Sequence, residues 1–136
     1  MGPRLIFVDT SFWIAAATPT DARHGEAAAL IRHHSDAAFA TSGLVVGETW
    51  TFANRRQGHR KAVDLVDRIL ATPRLRIERI SEADEREAWS WLRAPAEREY
   101  SFVDATSYAL MRRLAIREAL AFDGDFAAAG FVELRA

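Results

Sequence analysis

The sequence predicts an α/β protein with a mainly parallel sheet. Short apolar runs alternate with helical patterns along the whole chain, as expected for repeated strand–helix–strand units. The first run, Leu5–Val8, has consecutive apolar residues without alternation, which is typical of a strand buried on both faces. The chain has 136 residues and neither a repeat nor a linker that would divide it. We therefore expect one domain over residues 1–136.

Caps, breaks and periodicity place the elements of the first part of the chain. Proline ends two of its helices, and Gly58 separates two others. In the second helix, Ala28, Leu30 and Ile31 are expected to face the core. The predicted elements are, in order, a helix over 12–17, a helix over 22–34 capped by Asp21, a strand over 37–41, a helix over 42–57 capped by Ser42, a helix over 60–71 and an edge strand over 75–78.

The second part of the chain repeats the alternation. Ser81 and Asp84 have the spacing of a capping box, and the helix behind them ends before Pro95. A charged loop over 96–100 follows. The remaining predicted elements are a long helix from Ser101 to about residue 116, a short strand over 119–122 and a last strand over 131–134.

Composition and charge exclude several classes of protein. The net charge is −1, so the chain is not a globally basic nucleic-acid binder, and phosphate contacts need a local patch or bound cations. Zero cysteines exclude disulfides and thiolate chemistry. The chain has no apolar run of the ~18 residues that a membrane span needs. Met1–Arg4 shows no export signal, so we expect a cytoplasmic protein.

Four acidic residues stand in apolar sequence on separate predicted elements: Asp9, Glu48, Asp104 and Asp123. Acidic side chains are seldom buried unless they are paired or bind a metal. The three aspartates lie at boundaries that meet at one edge of a parallel sheet. Carboxylates gathered there repel one another, and hard divalent cations offset that repulsion. Oxygen ligands without cysteine or a chelating histidine pair favour Mg²⁺ or Mn²⁺ over Zn²⁺.

Three of these acids also have a local structural interpretation. Asp9 can cap the helix that follows it, and Asp104 can complete a capping box with Ser101. The segment Asp123-Gly124-Asp125 can be a plain turn, with Asp125 as the cap of a short helical turn over 126–129. From the residues alone, both interpretations stay open.

Glu48 is harder to explain as a local structural feature. It lies in the middle of a predicted helix, where capping has no meaning, and Val45 and Phe52 share its face at helical spacing. An acid on an apolar helix face indicates a functional role.

Four segments of the chain carry these acids: Phe7-Val8-Asp9-Thr10-Ser11, Glu48 after Val45-Val46-Gly47, Phe102-Val103-Asp104-Ala105 and Phe122-Asp123-Gly124-Asp125-Phe126. In order and spacing they resemble the motifs of PIN-domain nucleases. The resemblance covers nearly the whole chain and is closest to a VapC-type toxin ribonuclease of a toxin–antitoxin pair. It implies a three-layer α/β/α sandwich around a mainly parallel sheet of four or five strands.

The resemblance also implies an activity and its residues. The activity is Mg²⁺- or Mn²⁺-dependent endonucleolytic hydrolysis of RNA, by in-line attack of water on a phosphodiester. Ser11 would line the pocket, and Asp125 is carried over only weakly because that position varies in the family. The implied partners are RNA, a cognate antitoxin and a second copy of the chain. The implied catalytic residues are Asp9, Glu48, Asp104 and Asp123, of which the three aspartates are the implied metal ligands.

Basic and aromatic residues near these motifs have two interpretations each. The basic runs suit a solvated helix face or phosphate contacts beside the metal site. The aromatic residues suit core packing or, together, an apolar groove for an antitoxin helix. The basic residues are Arg55, Arg56, His59, Arg60 and Lys61 in one run and Arg112, Arg113 and Arg117 in another; the aromatic residues are Trp13, Trp50 and Phe52.

Two other functions suit an aspartate cluster. One is a phosphotransfer or phosphatase-like α/β protein; such families, by resemblance, need a late lysine, whereas Lys61 is the only lysine here. The other is a catalytically inactive PIN-like binding module. The presence of all four acids disfavours that alternative.

Overall fold

The computed structural model of the protein describes residues 4–136. The expectation about an export signal rests mainly on positions 1–3 and lies outside the described residues. The described part contains five strands, which are β1 (Leu5–Val8), β2 (Ala38–Ser42), β3 (Leu75–Glu78), β4 (Glu118–Leu120) and β5 (Val132–Glu133). They form one parallel sheet in the order β3-β2-β1-β4-β5.

Seven helices connect these strands within the described residues. Right-handed crossovers place the first four on one face of the sheet and the last three on the other, which confirms the three-layer sandwich. None of the described helices is long and apolar enough to cross a membrane. The helices are α1 (Thr10–Ala17), α2 (His24–His33), α3 (Gly43–Gln57), α4 (His59–Leu70), α5 (Glu82–Arg93), α6 (Phe102–Arg113) and α7 (Asp125–Ala128).

The central strand β1 determines where the sheet changes direction. It pairs with β2 on one side and with β4 on the other. The chain leaves β1 toward β2 and reaches β4 only after crossing the sheet, so a crevice forms between the carboxyl ends of β1 and β4. Ligand sites of open α/β sheets form at such a switch point. The backbone N–H of Asp9 donates to the carbonyl of Leu120 at 3.0 Å, which ties the two strand ends together.

The core supports this crevice from below. Residues Ile6–Val8 are buried, as the unbroken apolar run predicts. Helix α6 is buried along 104–111, so both of its sides contact protein. Aromatic rings fill the space between α6 and the sheet: the rings of Phe7 and Phe126 lie 5.9 Å apart, and those of Tyr108 and Phe126 lie 5.0 Å apart. The elements that carry the crevice are therefore anchored in the core.

The start and the core face of α2 differ from prediction. Asp21 does not cap the helix, because its Oδ1 accepts from the N–H of Arg23 at 2.8 Å in a turn that precedes the helix. Arg23 occupies the N-cap position without a side-chain bond. The predicted core face is right for Leu30 but wrong for Ile31, which is 47% exposed.

The end of α6 and the bounds of β4 also differ from the predicted ones. Helix α6 ends at Arg113 rather than near residue 116, because Ala115 has a positive φ of 56° and the N–H of Ile116 donates to the carbonyl of Met111. Strand β4 consequently starts at Glu118 and ends at Leu120. Phe122, predicted to lie in the strand, lies beyond it at the crevice.

The predicted caps of α3 and α5 are confirmed. The Ser42 hydroxyl accepts from the N–H of Val45, and Ser81 and Asp84 form a reciprocal capping box. Asp84 is buried, and the Arg113 guanidinium donates to both of its oxygens. This ion pair joins α5 to the end of α6. The bonds from Arg113 and Ser81 hold the pKa of Asp84 below its ordinary value, against the opposing effect of burial.

Replacing Asp84 with Asn is expected to lower the free energy of unfolding at pH 7 by about 1–3 kcal/mol. The substitution removes the negative charge that pairs with Arg113 and puts an amide N–H₂ group in place of one acceptor oxygen at the buried position 84. Urea denaturation measures this loss. A carboxyl with a lowered pKa stabilises the folded state above its unfolded pKa, so the difference should shrink as the pH falls below about 4. Asp67→Asn, on the exposed face of α4, is the control and should unfold like the parent protein.

Candidate active site

A pocket of about 360 Å³ opens at the carboxyl ends of β1 and β4, and it is lined by all four acids named from the sequence. The acids reach it from the end of β1, the middle of α3, the first turn of α6 and the turn after β4. The predicted convergence is thus observed. The lining residues are Asp9, Thr10, Ser11, Ile14, Ala15, Asp21, Arg23, Glu48, Phe52, Asp104, Phe122 and Asp123.

Asp9 both caps α1 and faces the pocket. Its Oδ2 accepts from the N–H of Ser11 at 3.2 Å and from the Ser11 hydroxyl at 2.9 Å. The same hydroxyl accepts from the N–H of Phe122 at 3.0 Å. Ser11 therefore orients Asp9 and joins the start of α1 to the chain beyond β4.

Glu48 projects from the middle of α3 toward the start of α1. The Thr10 hydroxyl donates to its Oε1 at 2.8 Å. Thr10 is buried, whereas Glu48 is only half-buried. One carboxylate oxygen of Glu48 thus accepts a hydrogen bond from Thr10.

Asp104 forms the predicted capping box with Ser101 and also lines the pocket. The N–H of Ser101 donates to its Oδ2 at 3.0 Å, and the N–H of Asp104 donates to the Ser101 hydroxyl at 3.0 Å. Asp104 is buried at the amino end of α6, where the positive end of the helix dipole favours an anion. The structural and functional interpretations of this residue are compatible.

The turn after β4 brings in a further acid. The N–H of Asp125 donates to Oδ1 of Asp123 at 3.1 Å, and Gly124, at a φ of +83°, occupies the N-cap position of α7. Asp125 is therefore the first residue of α7 and not its cap. The guanidinium of Arg98 donates to Oδ1 of Asp125 at 2.8 Å and to the backbone carbonyl of Asp123 at 3.0 Å.

The carboxylates of Asp104, Asp123 and Asp125 are close enough to share one cation. Each offers an oxygen, and these oxygens all lie within 4.8 Å of one another. Three carboxylate oxygens at that spacing fit a hard divalent cation. Asp9 lies outside this trio, although it lines the same pocket and feels the charges of Asp123 and Asp104. The structure therefore adds Asp125 to the predicted aspartates.

Burial and mutual repulsion make the acids hard to ionise together. Burial raises the pKa of Asp9 from its ordinary 3.8 to about 7, and the charges of Asp123 and Asp104 act in the same direction. The pKa of Asp123 is raised to about 6, first by burial and then by Asp125 and Asp104. Burial also raises the pKa of Asp104 and of Glu48. A bound cation would favour the ionised forms.

Among the basic residues, the sequence did not indicate Arg98, which bonds the turn that carries Asp123 and Asp125. Arg98 belongs to the charged loop before α6, and no local pattern indicates that it bonds a residue 27 positions away. The arginines of α6 are engaged elsewhere, because Arg112 pairs with Glu87 and Arg113 pairs with Asp84. The solvated helix face therefore fits Arg112, whereas Arg113 has a structural role that neither interpretation includes.

Of the two interpretations of the aromatic residues, a shared groove is wrong, because the three side chains lie apart in the structure. Trp13 is buried and lines a small cavity with residues of α4. Trp50 is half-buried, and its ring lies 5.7 Å from that of His59 in an edge-on arrangement. Phe52 alone of the three lines the acidic pocket.

The fold and the pocket together define a class: α/β/α proteins that gather carboxylates at a sheet switch point to hold a divalent cation. The family model for the PIN domain matches residues 6–132. The chain therefore belongs to the PIN-domain family. The resemblance drawn from the four motifs is confirmed.

Two relatives and one crystal structure narrow this assignment. The chain is 53% identical over 131 residues to the 23S rRNA-specific endonuclease VapC20 of Mycobacterium tuberculosis, in strains CDC 1551 and H37Rv, over 96% of this chain and 98% of each relative. The crystal structure of M. tuberculosis VapC20, described as a sarcin–ricin loop cleaving toxin, matches with a TM-score of 0.87 and 51% identity over 96% of this chain and 99% of that chain. The predicted class, a metal-dependent ribonuclease toxin of the VapC type, is confirmed.

Asp9→Asn is expected to stabilise the metal-free protein at pH 8 by roughly 1–3 kcal/mol. A carboxyl whose folded pKa is raised binds its proton more tightly in the folded state, so ionisation destabilises the fold above that pKa. Asparagine mimics the protonated form. Urea denaturation in EDTA at pH 8 and at pH 5 measures the effect, and the advantage should shrink at pH 5. Asp64→Asn on the exposed face of α4 is the control. Equal or lower stability of Asp9→Asn at pH 8 would contradict a pKa of Asp9 that is raised by burial and by the neighbouring acids.

Proposed function

We propose that this ribonuclease cleaves 23S rRNA at the sarcin–ricin loop. The observation that supports ribonuclease chemistry in this chain is the meeting of Asp9, Glu48, Asp104 and Asp123 in one pocket at the switch point. The choice of RNA is supported by the 53% identity to a 23S rRNA-specific endonuclease over 96% of the chain.

We further propose catalytic roles for these four acids, with Mg²⁺ as the cofactor and Mn²⁺ as its substitute. Asp9, Asp104 and Asp123 are the proposed metal ligands, and Asp125 adds a further oxygen beside them. An all-oxygen donor set supports this choice of ion. When bound, such a cation lowers the pKa of a water molecule and offsets the charge of the scissile phosphate.

The chain's own residues supply orientation. Ser11, Thr10 and Ser101 each donate to one oxygen of an acid, which aims Asp9, Glu48 and Asp104 before substrate arrives. Because Thr10 holds Oε1 of Glu48, we assign the other oxygen of Glu48 to orienting the attacking water. That water attacks phosphorus in line: one P–O bond forms as the water loses a proton to solvent, and the bond to the ribose oxygen breaks as that oxygen takes up a proton from solvent.

Three further features are proposed from family membership. They are a cognate antitoxin that binds the protein, a homodimer, and a cytoplasmic location. We also propose that residues 1–136 form a single domain, which is supported by a family match over 6–132 and by a core cluster that draws on residues from β1 to α7.

Purified protein, freed of antitoxin, is expected to cleave RNA when Mg²⁺ or Mn²⁺ is added. Asp9→Asn and Asp104→Asn should each abolish cleavage, because each removes a negative charge that holds the cation. Gel analysis of end-labelled RNA measures the activity, and Asp64→Asn on the exposed face of α4 should retain it. Full activity in both pocket variants, or the absence of divalent-ion binding in calorimetry, would refute the assigned site.

Substrate choice is tested separately on isolated RNAs. We expect cleavage of a 23S rRNA fragment that contains the sarcin–ricin loop, and at least about a tenfold slower reaction with a loop-deleted fragment, since one or two lost contacts are worth that factor. Primer extension locates the cut. Equal cleavage of transfer RNA or of the loop-deleted fragment would contradict the proposed target and leave the ribonuclease activity standing.

A further inference from the structure

Two phenylalanines line the acidic pocket, and an arginine lies over the ring of each. The guanidinium carbon of Arg56 is 5.0 Å from the centre of the Phe52 ring, and that of Arg23 is 5.1 Å from the centre of the Phe122 ring. The chemistry of phosphodiester cleavage requires neither aromatic ring. Their presence beside the carboxylates calls for a separate explanation.

The two phenylalanine–arginine pairs differ in their contacts with other side chains of the protein. Phe122 packs against Phe12 at 5.6 Å and has a second guanidinium, that of Arg135, at 5.4 Å. Arg23 is in turn bonded to Glu26 at 2.7 Å. Other side chains of the protein therefore hold the Phe122 ring in the wall of the acidic pocket.

Phe52 and Arg56, by contrast, are both exposed to solvent. Phe52 is 38% exposed although it is large and apolar. Arg56, one turn further along α3, is exposed and makes no ion pair within residues 4–136. Both side chains are thus available to a ligand that enters the pocket.

An aromatic ring with an arginine is a combination that suits nucleotides. A flat nucleobase stacks on the ring or on the guanidinium plane, and the arginine charge attracts the adjoining phosphate. Local positive charge is needed here, because the pocket itself is acidic and the net charge of the chain is −1. An apolar protein helix would bury Phe52 but would leave the Arg56 charge without a partner.

We propose that Phe52 and Arg56 form a nucleobase subsite, in which an unpaired base next to the scissile phosphate stacks on Phe52 and Arg56 contacts the backbone beside it. This inference rests on the proposed ribonuclease function and names the form of substrate: an unstacked nucleotide in a loop, because a base inside a duplex cannot reach the ring. Stacking accepts every base, so the subsite positions the strand without reading its sequence.

Binding is tested with a stem–loop RNA that carries the sarcin–ricin loop, with 2-aminopurine at each unpaired loop position in turn. The protein carries Asp104→Asn so that the RNA stays intact. Phe52→Leu should weaken binding about tenfold and abolish the fluorescence quenching at one position, whereas Phe52→Trp should retain both. Leu44→Ala, a change of equal exposure on the same helix (38%), should have no effect.

Arg56 is tested against its neighbour Arg55, which is also exposed on α3 but lies over no aromatic ring within residues 4–136. Arg56→Ala should weaken binding of the stem–loop several-fold and reduce its salt dependence by about one phosphate contact. Arg55→Ala should do so clearly less. In the enzyme with Asp104 intact, Phe52→Leu should raise KM about tenfold and leave kcat nearly unchanged, since it removes binding common to ground and transition states.

Three results would overturn the subsite. The first is unchanged KM and quenching in Phe52→Leu. The second is equal binding of the stem–loop and of a fully paired duplex with the same sequence. The third is normal RNA binding by Phe52→Leu together with lost affinity for an antitoxin segment, which would assign the surface to a protein partner. If the parent protein cleaves no RNA, the proposed function itself fails; if it cleaves RNA and Phe52→Leu is normal, only the subsite fails.

Discussion

The cost of ionising carboxylates that are buried together around one pocket is the constraint on which the site depends. Burial already disfavours ionisation of Asp9, and the charges of Asp123 and Asp104 add to that cost. The fold tolerates the cluster because a hydrogen-bond donor holds each acid in place: Ser11 for Asp9, Thr10 for Glu48, and backbone N–H groups for Asp104 and Asp123. Such preorganisation leaves the remaining charge for a cation to offset.

The parallel sheet explains why helix capping and chemistry coincide. Each strand end is followed by a helix start, and at the switch point several of these boundaries face one crevice. An aspartate there satisfies free N–H groups of the helix with one oxygen. Its other oxygen is left for the pocket. Asp9 follows this rule directly after β1, and Asp104 combines the same two roles at the start of α6, which follows α5 and not a strand. A capping role therefore does not argue against a metal ligand.

The predictions succeeded where short sequence spacing determines the geometry. The cap at Ser42, the capping box at Ser81 and the break at Gly58 each depend on residues within one helical turn, and all are present. The predictions for α2 failed because another local structure competed with the predicted one. Asp21 bonds a turn instead of a helix start, and Ile31 faces solvent because α2 buries the face that carries Leu30.

By itself, the sequence determined the α/β class, the family and the four acids of the pocket, because each of these rests on local motifs in a fixed order. Only the tertiary structure decided how the acids are grouped and held. Three contacts join parts of the chain that are far apart in sequence. Asp104 lies close to Asp123 and Asp125, the Arg98 guanidinium donates to Asp125, and the Thr10 hydroxyl donates to Glu48. Contacts of that kind depend on how the helices cross the sheet, and no spacing within one element encodes them.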